Sequence, residues 1–223
     1  MNKLLKITIG FLLLVSYKGL QAQQHPPFYD EIQNFKKLDS AHFPPKNAIL
    51  FVGSSSIRKW EDVQSYFPDY KIINRGFGGS ELTDVIRYAN DIIMPYHPRQ
   101  IVIYAGENDL AYSDTVTAAI VLNRFTKLFN IIRSALPMAP IVYISIKPSP
   151  SRAKIMPETV AANRLIKQFL QSKKKAVFVD VYYKMLNKDG KPMQDIFSED
   201  NLHMNAKGYH TWQKAISPYL LKE

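Results

Sequence analysis

The 223-residue chain contains no cysteine at all. That one absence excludes disulfides, cysteine nucleophiles and thiolate metal sites together, so an exported form of the chain must rely on its core alone. Acidic residues are also scarce, 19 against 29 lysines and arginines. No spacing of His, Asp or Glu resembles a ligand set, and neither a metal nor a cofactor is expected. A phosphate-cradling loop is missing too, because no Walker lysine follows either glycine-bearing turn. Arg75-Gly-Phe-Gly-Gly-Ser80 would need a glycine at position 81 to serve as a dinucleotide loop, and that position is Glu81. There is no Gly-x-Ser-x-Gly elbow, which argues against the α/β-hydrolase fold. No internal repeat, low-complexity tract or second hydrophobic block suggests another domain.

A membrane-spanning run is lacking as well. The apolar stretch Ile7 to Val15 falls short of the roughly 20 residues that cross a bilayer. It follows Lys3 and Lys6 and precedes Leu20-Gln21-Ala22, so residues 1–22 read as a cleavable signal peptide and 23–223 as the working domain. Without a cysteine at the cut, a lipid anchor is excluded. The expectation is a secreted or periplasmic protein with no stable membrane insertion after cleavage. Removing Lys3, Lys6 and Lys18 lowers the net charge from +10 to +7, an excess that favours acidic surfaces or polyanions. Export makes nucleic acid a poor partner, and Lys173-Lys174-Lys175 reads as a solvated helix end.

With 46% hydrophobic and 22% charged residues, the remainder has the composition of an ordinary globular domain. Ile32, Phe35 and Leu38 mark a covering helix over Tyr29 to His42, which Pro44-Pro45 ends. Short apolar runs, each the length of a buried strand, follow at Ala48–Val52, Tyr70–Asn74, Gln100–Ala105, Ile141–Ile146 and Ala176–Val181. Helical spacing lies between them. Ile57, Trp60 and Val63 mark one helix face, Leu82, Val85, Ile86 and Ala89 another. A long helix is expected from Thr115 to about Leu136, capped by Ser113 or Asp114. Lys147 to Arg152 reads as an extended Pro/Ser-rich loop, and further helices run from Pro157 to about Lys173 and from Asn205 to about Leu220. Five strands alternating with helices imply an α/β fold with a parallel sheet covered on both faces. Ligands in such sheets bind at the carboxyl ends of the strands, where Gly53–Ser56, Gly76–Ser80 and Gly106–Asp109 all fall.

Ala48-Ile-Leu-Phe-Val-Gly-Ser-Ser-Ser-Ile-Arg-Lys-Trp60 therefore reads strand, tight turn, helix, with serines at the helix start. A serine there can be a cap and nothing more, or an acyl-transfer nucleophile beside unpaired N–H groups. Acyl transfer also needs a base, a group to orient it, and donors for the oxyanion. Asp200-Asn-Leu-His203 supplies the first two, since a carboxylate three residues ahead can reach the imidazole Nδ1–H and leave Nε2 free. The Gly76–Gly79 loop offers unobstructed N–H groups and Asn108 a neutral amide. Taken singly, Asp200 could cap a turn, His203 could be a surface histidine, and Asn108-Asp109 could be only a turn.

Taken together and in order, Gly53-Ser54-Ser55-Ser56-Ile57, Asn74-Arg-Gly-Phe-Gly-Gly79, Gly106-Glu107-Asn108-Asp109 and Asp200-Asn-Leu-His203 resemble the four blocks of the SGNH (GDSL-like) hydrolases. The Ser-Ser-Ser-Ile-Arg-x-Trp form and the Pro-Ser-Pro loop resemble the platelet-activating-factor acetylhydrolase-like branch. The resemblance implies a flavodoxin-like three-layer α/β/α sandwich with strand order 2-1-3-4-5. It implies Ser55 as nucleophile, His203 as base and Asp200 as its orienter, with an oxyanion hole made by the Ser55 and Gly79 N–H groups and the Asn108 side chain. The family commonly has aspartate before the nucleophile where this chain has Ser54. By residue type Ser54 or Ser56 could also attack; aligning Gly53 with the family glycine selects Ser55. Arg58, Trp60, Tyr112, Lys147 and Arg152 are expected to line an open, polar cleft suited to an acylated sugar. The reaction implied is hydrolysis of short acyl esters, acetyl above all, on a small molecule or polysaccharide. The alternatives are a lysophospholipase or thioesterase on acyl-lipids, or a binding protein that keeps the scaffold without the chemistry.

Overall fold

A computed structural model describes residues 25–222. The segment read as a signal peptide lies outside the described residues. The sheet has five parallel strands in the order β2-β1-β3-β4-β5, as the motif resemblance implied. In chain order, α1 (Tyr29–Ala41) precedes β1 (Ile49–Gly53), and α2 (Ser55–Arg58) and α3 (Val63–Tyr66) lead to β2 (Ile72–Gly76). Next come α4 (Leu82–Arg87), α5 (Ala89–Ile92), β3 (Gln100–Tyr104), α6 (Glu107–Ala111), α7 (Ala118–Ala135) and β4 (Ile141–Ile144). The chain then runs through α8 (Met156–Gln171), β5 (Ala176–Val179) and α9 (Ala206–Ile216).

Strand alternation builds the two cores, because successive side chains point to opposite faces. Leu50, Val52, Ile101, Ile103, Ile141 and Tyr143 pack with Ile32, Leu82, Val85, Val121, Phe125 and Ile166 on one side. Ile49, Phe51, Val102, Tyr104, Val142 and Ile144 pack with Ile57, Trp60, Tyr209 and Trp212 on the other. The register puts Gly53 opposite both Gly76 and Tyr104, so β1, β2 and β3 finish level and their loops share one rim.

Several expected elements differ in detail. The helix after β1 is not continuous: α2 stops at Arg58 and α3 starts at Val63. At the break the Asn74 side-chain amide donates to the carbonyls of Ile57 (2.8 Å) and Trp60 (3.1 Å), alongside the i+3 N–H groups of Trp60 and Val63, and so ties this turn to β2. The long helix begins at Ala118, capped by Thr117 rather than Ser113 or Asp114, since the Thr117 hydroxyl accepts from Ile120 N–H. Ser113 instead holds a local turn, its hydroxyl accepting from Thr115 N–H at 3.3 Å. The Pro/Ser-rich loop is not extended throughout, because Pro150–Ile155 winds into 3-10 turns.

Candidate active site

The site starts where β1 ends. Gly53 has φ +139°, and a Cβ there would overlap the carbonyl oxygen of Tyr104, so only glycine lets the chain turn so tightly against β3. Ser54 follows in an extended conformation, its N–H donating to Tyr104 O at 3.0 Å, and α2 opens at Ser55. The three serines then part company. Ser54 and Ser56 are buried, at 3% and 2% exposure, whereas Ser55 remains partly open.

Ser55 meets a residue 148 positions away: its Oγ lies 3.0 Å from His203 Nε2. On the far side of the ring, His203 Nδ1 is 2.6 Å from Asp200 Oδ2. A carboxylate can only accept, so Nδ1 carries the ring proton and Nε2 presents its lone pair to the serine hydroxyl. Asp200 is itself fixed, its Oδ1 accepting from the N–H groups of Leu202 (3.0 Å) and His203 (2.9 Å). Burial works against its charge, but the ring and main-chain N–H groups of His203 and the N–H of Leu202 outweigh it and hold the carboxyl well below the usual range. Asn205 caps α9 just beyond, accepting from Lys207 and Gly208 N–H, which anchors the loop that presents His203.

Gly79 and Asn108 lie side by side. The direction a Gly79 Cβ would take ends 3.8 Å from Asn108 Nδ2 and 2.5 Å from the Tyr112 hydroxyl. Asn108 Nδ2 donates one hydrogen to Ser80 O at 3.0 Å, which fixes the amide and leaves its second hydrogen for another acceptor. Asn108 sits in α6, not in a turn, and Gly106 at φ +115° makes the entry. Asp109 locks that helix to α4, accepting from Leu82 N–H (3.0 Å) and from Arg124 (2.7 Å), which also reaches Glu81.

The expected cleft residues divide. Tyr112, 59% exposed, stands beside Gly79 with the Arg152 guanidinium 5.7 Å from its ring. Arg58 is exposed and paired with Glu31 at 3.2 Å. Trp60 and Lys147 line no cleft. Trp60 is fully buried among Phe51, Tyr66, Phe67, Tyr209 and Trp212. Lys147 is buried against Glu107, donating at 3.0 Å. Glu107, unassigned in the sequence reading, gathers the Tyr104 hydroxyl, Lys147, Ser149 and Arg152. Burial alone would raise its carboxyl, but the two cations and the Tyr104 hydroxyl outweigh it and hold the value down. The signal for it was a carboxylate placed directly after a buried strand, where only a paired charge survives. Among the described residues no three His, Asp or Glu side chains could hold a metal ion, and no helix is long and apolar enough to cross a membrane.

The sequence model of the GDSL-like lipase/acylhydrolase family matches residues 52–211. No curated protein matches the chain. Among solved structures, the chain is similar to one from Streptococcus pneumonia provisionally described as a platelet activating factor (TM-score 0.75, 20% identity, 86% of this chain and 92% of that one). It is similar to a GDSL-like lipase from Bacteroides thetaiotaomicron (TM-score 0.70, 18% identity, 84% and 95%). An acetylxylan esterase from Geobacillus stearothermophilus is also similar (TM-score 0.60, 13% identity, 78% and 94%). At such identities these likenesses speak to the fold.

Proposed function

The chain belongs to the GDSL-like lipase/acylhydrolase family and is an ester hydrolase; from that premise we propose that it is an exported serine esterase removing short acyl groups, acetyl above all, from carbohydrates. The observation that carries the proposal is the unbroken chain of contacts from Ser55 through His203 to Asp200. In the first step Ser55 Oγ attacks the ester carbonyl carbon while His203 Nε2 takes the hydroxyl proton. Asp200 stays ionised and stabilises the imidazolium through Nδ1–H. The tetrahedral oxyanion is met by the N–H groups of Ser55 and Gly79 and the free amide hydrogen of Asn108. His203 then passes its proton to the departing sugar hydroxyl, leaving an acyl-serine. Water attacks that ester, again giving a proton to Nε2, and Ser55 is regenerated as the carboxylic acid leaves.

The short-acyl reading is supported by Tyr112, whose hydroxyl crowds the space beside Gly79, and by the polar, exposed setting of Tyr112 and Arg58. A carbohydrate acceptor suits the exposed, polar Tyr112 and Arg58, and an acetylxylan esterase is among the proteins that share this fold. Export is proposed from residues 1–22 as signal peptide, with 23–223 as the mature domain. The test is hydrolysis of p-nitrophenyl esters from acetate to palmitate and of acetylated xylan by the mature protein. Acetate should be the best ester, and Ser55→Ala should lose about 10⁴-fold or more in kcat. A preference for palmitate would reject the short-acyl reading, and an active Ser55→Ala protein would reject the serine mechanism.

A further inference from the structure

The family match begins at residue 52, yet α1, which precedes it, reaches the site. Phe28, at φ +66°, turns the chain into that helix and packs edge-on against Phe77, the ring centroids 5.3 Å apart. Ile32 is buried in the core, and Asp39 binds Arg75 and the Tyr96 hydroxyl. So docked, α1 sets Glu31 over the glycine loop. Its Oε2 accepts from Gly78 N–H at 3.1 Å and lies 3.2 Å from Nε of Arg58, the last residue of α2. Its Oε1 is 2.8 Å from where a Cβ on Gly78 would stand, so a side chain at that position would displace the carboxylate.

Gly78 and Gly79 are consecutive glycines with no side chains to hold them, and their backbone has the widest conformational freedom in the loop. Phe77 N–H is fixed to Gly53 O at 3.0 Å and Ser80 N–H to Gly78 O at 2.5 Å. On either side of the glycines the Ser80 hydroxyl donates to Phe77 O at 3.2 Å and Asn108 Nδ2 to Ser80 O at 3.0 Å, and within the pair the Gly78 N–H is taken by Glu31. We infer that Glu31 is a positioning residue: it holds the Gly78-Gly79 backbone so that the Gly79 N–H stays aimed beside Asn108, while its ion pair with Arg58 ties the loop to the helix that opens at Ser55. The inference rests on the proposed role of Gly79 as an oxyanion donor. A donor that wanders contributes less to the transition state, because preorganisation is what gives such donors their effect. The effect should fall on kcat more than on KM, since the carboxylate acts on the donor loop through the Gly78 N–H.

The experiment compares Glu31→Ala, Glu31→Gln and Asn108→Ala on p-nitrophenyl acetate, with thermal melts of each. Glu31→Ala should lower kcat about tenfold with KM within about twofold, because one of several donors is loosened rather than removed. Its melting temperature should change by only a few degrees, as a half-exposed ion pair contributes little to stability. Glu31→Gln keeps an oxygen able to accept the Gly78 N–H and should recover most of the lost kcat. An unchanged kcat in Glu31→Ala beside a crippled Asn108→Ala would overturn the inference while leaving the oxyanion reading intact. Glu31→Gln as slow as Glu31→Ala would also overturn it. Full activity in Asn108→Ala would instead strike at the oxyanion reading on which the inference stands.

Discussion

Each proposed participant in the site depends on a neighbour that fixes it. Asn108 is the clearest case, since its amide is steered by Ser80 O and its helix is pinned through Asp109 to Arg124 and Leu82. Asn108→Ala should cost about 10²- to 10³-fold in kcat, the usual effect of deleting one oxyanion donor, with little change in KM. Steady-state kinetics on a short ester checks this. Much of the site was legible at this scale, because glycine, serine, asparagine and the Asp-x-x-His spacing each state a local requirement. Burial was the part that local sequence did not state. Lys147 reads as a rim residue until Glu107, 40 positions earlier, supplies the buried charge that lets it go inside. Glu31 was invisible for the same reason, as its partners Gly78 and Arg58 are its neighbours only after folding.

For the elements, strand-turn-helix recurrence was readable because apolar runs, glycines and helical spacing are local signals. Helix ends were less so, because tertiary hydrogen bonds accompany them: Asn74, in β2, ties down the carbonyls of Ile57 and Trp60 where α2 gives way to turns, and no signal near Arg58 announces it. Past the end of α2, Trp60 leaves helical geometry and fills the aromatic core, stacked on Tyr209 with centroids 4.9 Å apart. Trp60→Ala should therefore destabilise the fold by about 3–5 kcal/mol, as for other large buried aromatics. Trp60→Phe should cost clearly less, since the indole N–H has no hydrogen-bond partner among the described residues and nothing is lost by deleting it. Urea denaturation of the two variants measures the difference. Activity below the unfolding transition should survive in both, because Trp60 lies in the core and not against substrate.

On the scale of the whole molecule, the sheet order followed from the resemblance of the motifs, and crossover handedness explains why helices cover both faces. The two cores bring many tyrosines inside, which gives the stability a pH signature. Burial and the Asp39 hydrogen bond push the Tyr96 hydroxyl from its ordinary 10.0 up to about 12, with Arg75 opposing. Tyr104 and Tyr143 are raised by burial in the same direction. A tyrosine that keeps its proton in the fold after the unfolded chain has lost it favours unfolding as pH rises. Stability from Tyr96 is thus whole below pH 10 and is lost as pH climbs through about 12. Urea midpoints should fall as pH rises above about 10. Tyr96→Phe should shallow that fall by at most about 1.4 kcal/mol per pH unit, and a fall equally steep in the variant would contradict the assignment.

In the proposed mechanism the Ser55 hydroxyl, activated by His203, carries the acyl group. Intact-mass spectrometry after treatment with a fluorophosphonate, followed by peptide mapping, tests it directly. One adduct per chain is expected, located on Ser55, and almost none in His203→Ala. An adduct on Ser54 or Ser56, or labelling of Ser55 at an unchanged rate without His203, would contradict it.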